Sequence, residues 1–443
     1  MIARAGTVAV LAAGAITALA AWAWVGSLGA VRSAAAPAAP LPAQTMAPVM
    51  PDYLYRNGVV ADLEGDVHRH ADALNTRMLA GQYLQRFREM PDVGDLLRAV
   101  ASANRALRLQ PRDNVAAEST LASAYTALHK FRLAKRYADD VAALTPWNAD
   151  AVATDASLAM ELGEYREARK LLAASRPARE NGGWEIVAAR YAEITGDLPE
   201  ARRLVAAAML NADDNAYGSA ENRAWYHWRA AELEFEAGDL NAARAQYARA
   251  LAMYPRYWHA MNGLAKVAWA RKRWGEARTW ALRAADVYPL PDTLGYLYDA
   301  QIGSGDRAGA HMTLGLVKAI ERIGNAQGIN DRLIALFYAD HAVMPDRAVA
   351  IARRDLATRD DVYAEDTLGW ALAMDHRWNE ALPHAERAAL LGTPDARLLF
   401  HTAIVELHNG RKSKAQARLR LALALNPYFH PQQADFALRL LSR

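Results

Sequence analysis

Three acidic side chains, Glu232, Glu234 and Glu236, stand two residues apart, the residue type that paired-carboxylate acid–base chemistry uses. On a helix that spacing puts Glu232 and Glu236 on one face and Glu234 off it, which reads as a solvated helix face rather than a catalytic pair. His68 and His70 lie two apart and so point to different faces, with Glu64 the only local partner for a metal site. His401 and His408 are seven apart and share a face, a coincidence that a stacked helical array offers often. The chain has no cysteine. That excludes a disulfide framework, a thiolate nucleophile, a cysteine-ligated zinc or iron–sulfur centre and lipidation on cysteine. No glycine-rich phosphate loop, GxSxG, HExxH or EF-hand calcium loop occurs. The sequence therefore predicts no catalytic residue, no metal site and no cofactor, and a protein that is not an enzyme.

What the sequence does concentrate is aromatic surface. Six of the twelve tryptophans lie between Ala224 and Leu290: Trp225, Trp228, Trp258, Trp269, Trp274 and Trp280. Basic residues crowd the same stretch at Lys266, Arg271, Lys272 and Arg273, which fits an acidic partner, an anionic surface or simply a solvated turn. Over the 443 residues, 52 basic groups nearly balance 49 acidic ones, and a net charge of +3 makes no case for nucleic acid.

The elements that must position these residues are short helices in a repeat. RALRLQPRD at 105–113, RALAMYPRY at 249–257, RAADVYPLP at 283–291 and LALALNPYF at 421–429 each carry Ala five residues before Pro. A second alanine sits twelve before those prolines, at Ala99, Ala243, Ala277 and Ala415, and Ala134 with Pro146 repeats the offset. This alanine can be followed along the chain at 99, 134, 168, 201, 243, 277, 308, 348, 381 and 415. Most steps lie within three of 34, and two longer ones place insertions near 210–220 and 323–329. Small residues at fixed offsets let two helices approach, and proline stops the second helix because it lacks the interior hydrogen-bond donor.

The pattern resembles the tetratricopeptide repeat family, whose unit is a 34-residue helix–turn–helix. Matches include Leu121, Ala122 and Tyr125, then Gly163 with Tyr165, Gly196 with Leu198, Gly238 with Leu240, Leu264 with Ala265, Leu368 with Gly369, and Gly410. His129 stands where a turn glycine is expected, and the units around 292–323 and 329–359 diverge most. The resemblance implies an all-α, right-handed superhelical solenoid of about ten antiparallel helix pairs, since one hairpin cannot bury its apolar face alone. It also implies that the first helix of each unit lines a concave groove. Carried onto this chain, the groove positions mark Trp225, Trp228, Glu232, Phe235 and Glu236 in one unit and His259, Asn262, Lys266, Trp269 and Ala270 in the next, of which Trp225, Trp228, Glu232, Phe235, Asn262, Lys266 and Trp269 are the candidate partner-binding residues. Aromatics beside a few polar groups suit a peptide or protein partner.

Residues 5–31 carry no charged side chain and are long enough to cross a bilayer. Two readings of residues 1–32 stand open, a retained signal anchor that makes the membrane a partner, or a signal peptide cleaved at the small residues of 34–39. Residues 33–52 form a Pro/Ala-rich linker. A helical capping region at 53–90, the repeat solenoid at 91–428 and a C-terminal capping helix at 429–443 complete the expected organisation. The sequence thus predicts an interaction scaffold of a bacterial envelope, held at the inner membrane with a periplasmic repeat domain, or periplasmic or secreted if the signal is cleaved. The alternatives are a self-assembling structural protein, hence a homo-oligomer, and a non-catalytic accessory subunit of an envelope or polysaccharide-export system.

Overall fold

The computed structural model describes residues 51–178, 181–215, 218–324 and 329–442. Twenty-two α-helices occur among them. A first helix, α1 (Pro51–Arg69), is followed by ten hairpins. The first five are α2 (Ala73–Glu89) with α3 (Val93–Leu109), α4 (Val115–Ala127) with α5 (Phe131–Leu144), α6 (Ala149–Glu161) with α7 (Tyr165–Ala174), α8 (Gly182–Ile194) with α9 (Leu198–Asp214), and α10 (Ala220–Glu236) with α11 (Leu240–Met253). The second five are α12 (Trp258–Ala270) with α13 (Trp274–Val287), α14 (Pro291–Gly303) with α15 (Arg307–Gly324), α16 (Asp331–Asp340) with α17 (Pro345–Thr358), α18 (Val362–Met374) with α19 (Trp378–Ala388), and α20 (Ala396–His408) with α21 (Lys412–Leu425). A last helix, α22 (Pro431–Leu441), closes the array. This is the all-α solenoid of adjacent antiparallel pairs that the alanine spacing predicts.

The alanines hold the seams. Nine of the ten are fully buried. Ala308 is the exception. It is exposed, and Gly309 beside it is buried instead, where even a β-carbon would come within 2.8 Å of the Gln301 amide nitrogen. The turns inside nine of the ten hairpins hold one residue in the left-handed region. Glycine supplies it at 163, 196, 238, 305 and 410, and His129, Lys272, Ala342 and His376 fill the same place elsewhere. Proline follows the last helical turn at Tyr254–Pro255 and Asn426–Pro427, where the pairs end.

The first helices of the hairpins form the inner wall, and α12, α18 and α20 are buried along most of their length. The superhelix is tight enough for its turns to stack. Asp360 N–H donates to Glu161 O (3.3 Å), and Val362 N–H donates to the Tyr165 hydroxyl (2.8 Å). Thr393 Oγ1 donates to Ile194 O (2.7 Å), and Asn426 Nδ2 to Phe235 O (2.7 Å). Arg359 pairs with Glu161 at 2.7 Å, and Lys272 with Asp435 at 2.7 Å. In all but the last a turn inside an earlier hairpin meets a connection five to six hairpins on, and in the last the turn at Lys272 meets α22. The N-terminal helices are used the same way. The Tyr254 hydroxyl donates to Glu89 O (2.9 Å), and Ala220 N–H to the Asp52 carboxylate (3.1 Å).

One sequence expectation is corrected. No helix among the described residues is long and apolar enough to cross a membrane. The apolar stretch of residues 5–31, which carried the expected transmembrane helix and the membrane as partner, lies outside the described residues, as does the linker up to residue 50.

Candidate functional site

Stacking the turns narrows the concave groove to an axial cavity of about 350 Å³. Its wall comes from the inner helices α8, α10, α12, α14, α16, α18 and α20, together with the 426–430 connection. Four of the candidate partner-binding residues line it: Glu232, Phe235, Lys266 and Trp269. They meet because Glu232 and Phe235 sit one helical turn apart on α10, and Lys266 and Trp269 hold the same places one repeat later on α12.

The polar atoms of these residues bond across neighbouring repeats. Lys266 Nζ lies 2.6 Å from Glu232 Oε2 and 4.3 Å from the centre of the Phe235 ring. The Tyr247 hydroxyl donates to the other Glu232 oxygen. Trp269 is buried, and its indole N–H donates to Asp299 at 2.7 Å. Asn262 does not line the cavity itself; its amide donates to Asp292, which does, at 2.8 Å. Trp225 and Trp228 lie outside the cavity too. They are half-buried nearer the start of α10, with ring centres 6.0 Å apart, and Trp228 packs on His259 at 4.7 Å. Burial drives the His259 imidazole down to about 3, so this aromatic stack is uncharged.

The far wall was not marked by the sequence reading. Asp299 accepts from Trp269 and pairs with His341 Nε2 at 3.3 Å, while His341 Nδ1 lies 2.7 Å from Phe337 O. Burial alone would lower the His341 value, but the bond to Asp299 overrides it and raises it. Asp340 accepts from the Trp370 indole (3.0 Å) and the Gln433 amide (3.1 Å) and pairs with Arg397. Burial pushes the Asp340 carboxyl up, and the Arg397 guanidinium outweighs that and holds it at about 2. At the α8–α10 side, Glu193 binds Arg190 (3.0 Å) and Arg229. Glu236 hydrogen-bonds to Glu193. Burial, and then the Glu193 charge, raise the Glu236 carboxyl well above the usual range, so it holds a proton against its ionised neighbour. A spacing near one repeat was the available signal for much of this wall. Trp269 and Asp299, Asn262 and Asp292, and Asp340 and Trp370 are each 30 residues apart.

Among the described residues, no three His, Asp or Glu side chains are grouped to hold a metal ion. His68 and His70 are exposed on and just beyond the end of α1. His401 is buried on Asp366 (3.0 Å), whereas His408 stacks on Trp378, so the two do not form a pair.

A family described as tetratricopeptide repeat matches residues 234–293, which run from the end of α10 into the start of α14 and include Phe235, Lys266 and Trp269 of the cavity wall. No curated protein matches the chain. Among solved structures, a chain of the APC/C hetero-tetramer Cut9-Hcn1 aligns at 13% identity over 88% of this chain and 94% of its own, with a TM-score of 0.34. A tetratricopeptide repeat protein from Parabacteroides merdae ATCC 43184 aligns at 14% identity over 59% of this chain and 99% of its own, with a TM-score of 0.34. Yeast Tom70 aligns at 15% identity over 88% and 93%, with a TM-score of 0.32. The matched repeat, the buried alanine seams and the pairing of successive helices make this an all-α protein of tetratricopeptide-like repeats.

Proposed function

We propose that this protein is an interaction scaffold whose partner inserts a short segment into the axial cavity, rather than lying along an open groove. The observation that carries this reading is the closure itself. The stacked turns reduce the groove to about 350 Å³, near the lower end of the ~300–1,000 Å³ typical of ligand pockets. That space takes one or two residues of a partner and excludes an extended helix or strand. The wall is also already ordered by bonds between repeats, so little side-chain freedom is lost when a ligand enters. Glu232, Phe235, Lys266 and Trp269 form one side of the site. Trp225, Trp228 and Asn262 support that side from the same inner helices.

A photo-crosslinking residue tests the reading. Placed at Tyr296, which lines the cavity, it captures a partner; placed at Leu390, 78% exposed on the outside, it does not. The same products from both positions overturn the assignment. Residues 1–32 fit an export signal removed within the small residues of 34–39, and N-terminal sequencing of the mature protein checks it.

A further inference from the structure

The cavity wall has more carboxyl groups than cations. Seven carboxyl side chains line it, against Arg190, Lys266, Arg332 and Arg397. Three of these cations are already committed, Arg190 to Glu193, Lys266 to Glu232 and Arg397 to Asp340. The fourth, Arg332, lies 5.7 Å from the Tyr363 ring centre. On the acidic side, Asp292, Asp395 and Glu236 are in no ion pair among the described residues. Asp292 is held by the Asn262 amide and the Thr293 N–H, and Asp395 caps α20 through Arg397 N–H and Leu398 N–H. Burial raises all three carboxyls above their ordinary range; Glu236 keeps its proton on Glu193, which leaves Asp292 and Asp395 as the carboxyl groups whose charge lacks a counterion.

Two further observations indicate what would fit. The wall already seats one ammonium group, that of Lys266, between the Phe235 ring and the Glu232 carboxylate. An aromatic face beside a carboxylate is a cation site, and Trp269, Tyr296, Phe337 and Phe429 continue that lining. His430 also lines the cavity and is only 7% exposed. Its Nδ1 accepts the Gln433 N–H (3.4 Å), which leaves the proton on Nε2, and Nε2 has no partner among the described residues. Burial lowers this imidazole to about 4, so the ring is a neutral donor at physiological pH and needs an acceptor.

We infer that the group inserted into the axial cavity is an arginine or lysine residue of a partner peptide. Its cationic head lies among the unpaired carboxyl groups, and its backbone carbonyl accepts from His430 Nε2. This rests on the cavity reading above and adds the chemistry of the partner to it.

Calorimetric titration of the full chain with blocked tripeptides, Ala-X-Ala with X as Arg, Lys, Leu or Glu, tests the inference. The Arg or Lys peptide should bind at least about tenfold more tightly than the Leu and Glu peptides, and more weakly as salt is raised. The double variant Asp292→Asn, Asp395→Asn keeps the hydrogen-bonding shape of both positions and should lose about that tenfold preference. Equal binding of the Leu or Glu peptide overturns the cationic assignment. So does undiminished binding of the Arg peptide to the double variant. If no peptide binds but Tyr296 still crosslinks a partner, the cationic assignment fails and the cavity reading survives; if neither occurs, both fail. The salt series on the unaltered chain gives an answer even if the double variant does not fold.

Discussion

Gly163 and Gly410 occupy the same place in their hairpins, each in the left-handed region at the turn, yet their surroundings differ completely. A β-carbon on Gly163 would lie well inside contact distance of the Asp360 carbonyl. At Gly238 it would lie 3.1 Å from Leu425 O, and at Gly196 3.3 Å from Gly392 O. At Gly410 and Gly305 it would meet nothing within 4 Å. One sequence signal therefore does two jobs. Every such glycine permits the turn, but only those of the third, fourth and fifth hairpins also let a later superhelical turn settle on it. The covered edge closes the cavity, and the open turns at Gly305 and Gly410 do not line it.

The largest expected effect breaks this comparison directly. Gly163→Ala forces a left-handed alanine, worth roughly 1–2 kcal/mol, and also drives a methyl group into backbone, for a total of about 3 kcal/mol or more. Gly410→Ala has only the first cost, about 1 kcal/mol. Thermal unfolding followed by circular dichroism separates them, and equal losses would show that the turns do not bear on one another.

Asn426→Ala comes next. Asn426 is 1% exposed and holds the Phe235 carbonyl across the turns; Gly238 N–H still satisfies that carbonyl in its absence, so the loss is that of one buried hydrogen bond, about 0.5–1.5 kcal/mol. Denaturant unfolding measures that loss, and hydrogen exchange should rise around residues 235–240 more than around 409–412.

Acid should part the covered edge before the open ones change. Burial acts to raise the Asp361 carboxyl, but Arg359 outweighs it and holds the group below its ordinary range. Its stabilisation is therefore present above the unfolded carboxylate value, about 4, and lost as pH falls below that. Exchange at Asp360 and Val362, whose amides bridge the turns, should accelerate over that window, and Asp361→Asn should flatten the response.

Lys272→Ala is the smallest. The Lys272–Asp435 pair crosses the same edge but both side chains are nearly half exposed, so its loss should be under about 1 kcal/mol and fade further in salt.

Much of the fold was legible because its signal is local and periodic. Alanine at a step near 34 and proline after the second helix are both requirements of a single hairpin and its neighbour. Ala308 shows the limit. The comb continues through it in the sequence, but the helix following Asp306 sets Gly309 into the seam. The lining of the candidate cavity was legible in part. Placing the first helices on the inner wall found Glu232, Phe235, Lys266 and Trp269, because that face is fixed by the hairpin. Arg397 and His430 were missed because they meet the earlier side of the cavity only once the array has wrapped round, a separation no local pattern records. Trp225 and Trp228 satisfied the same pattern but lie nearer the start of α10, packed on one another and on His259.

An ordinary open array of repeats can gain or lose a unit during evolution, because each unit touches only those beside it. Here partners sit 191 to 199 residues apart, as in Asn426 with Phe235 and Thr393 with Ile194. One added unit between them would rotate every later connection off the turn it rests on. The number of units between the two stacked edges is therefore fixed like the number of teeth on meshed gears, and a viable duplication in this protein should fall at its ends.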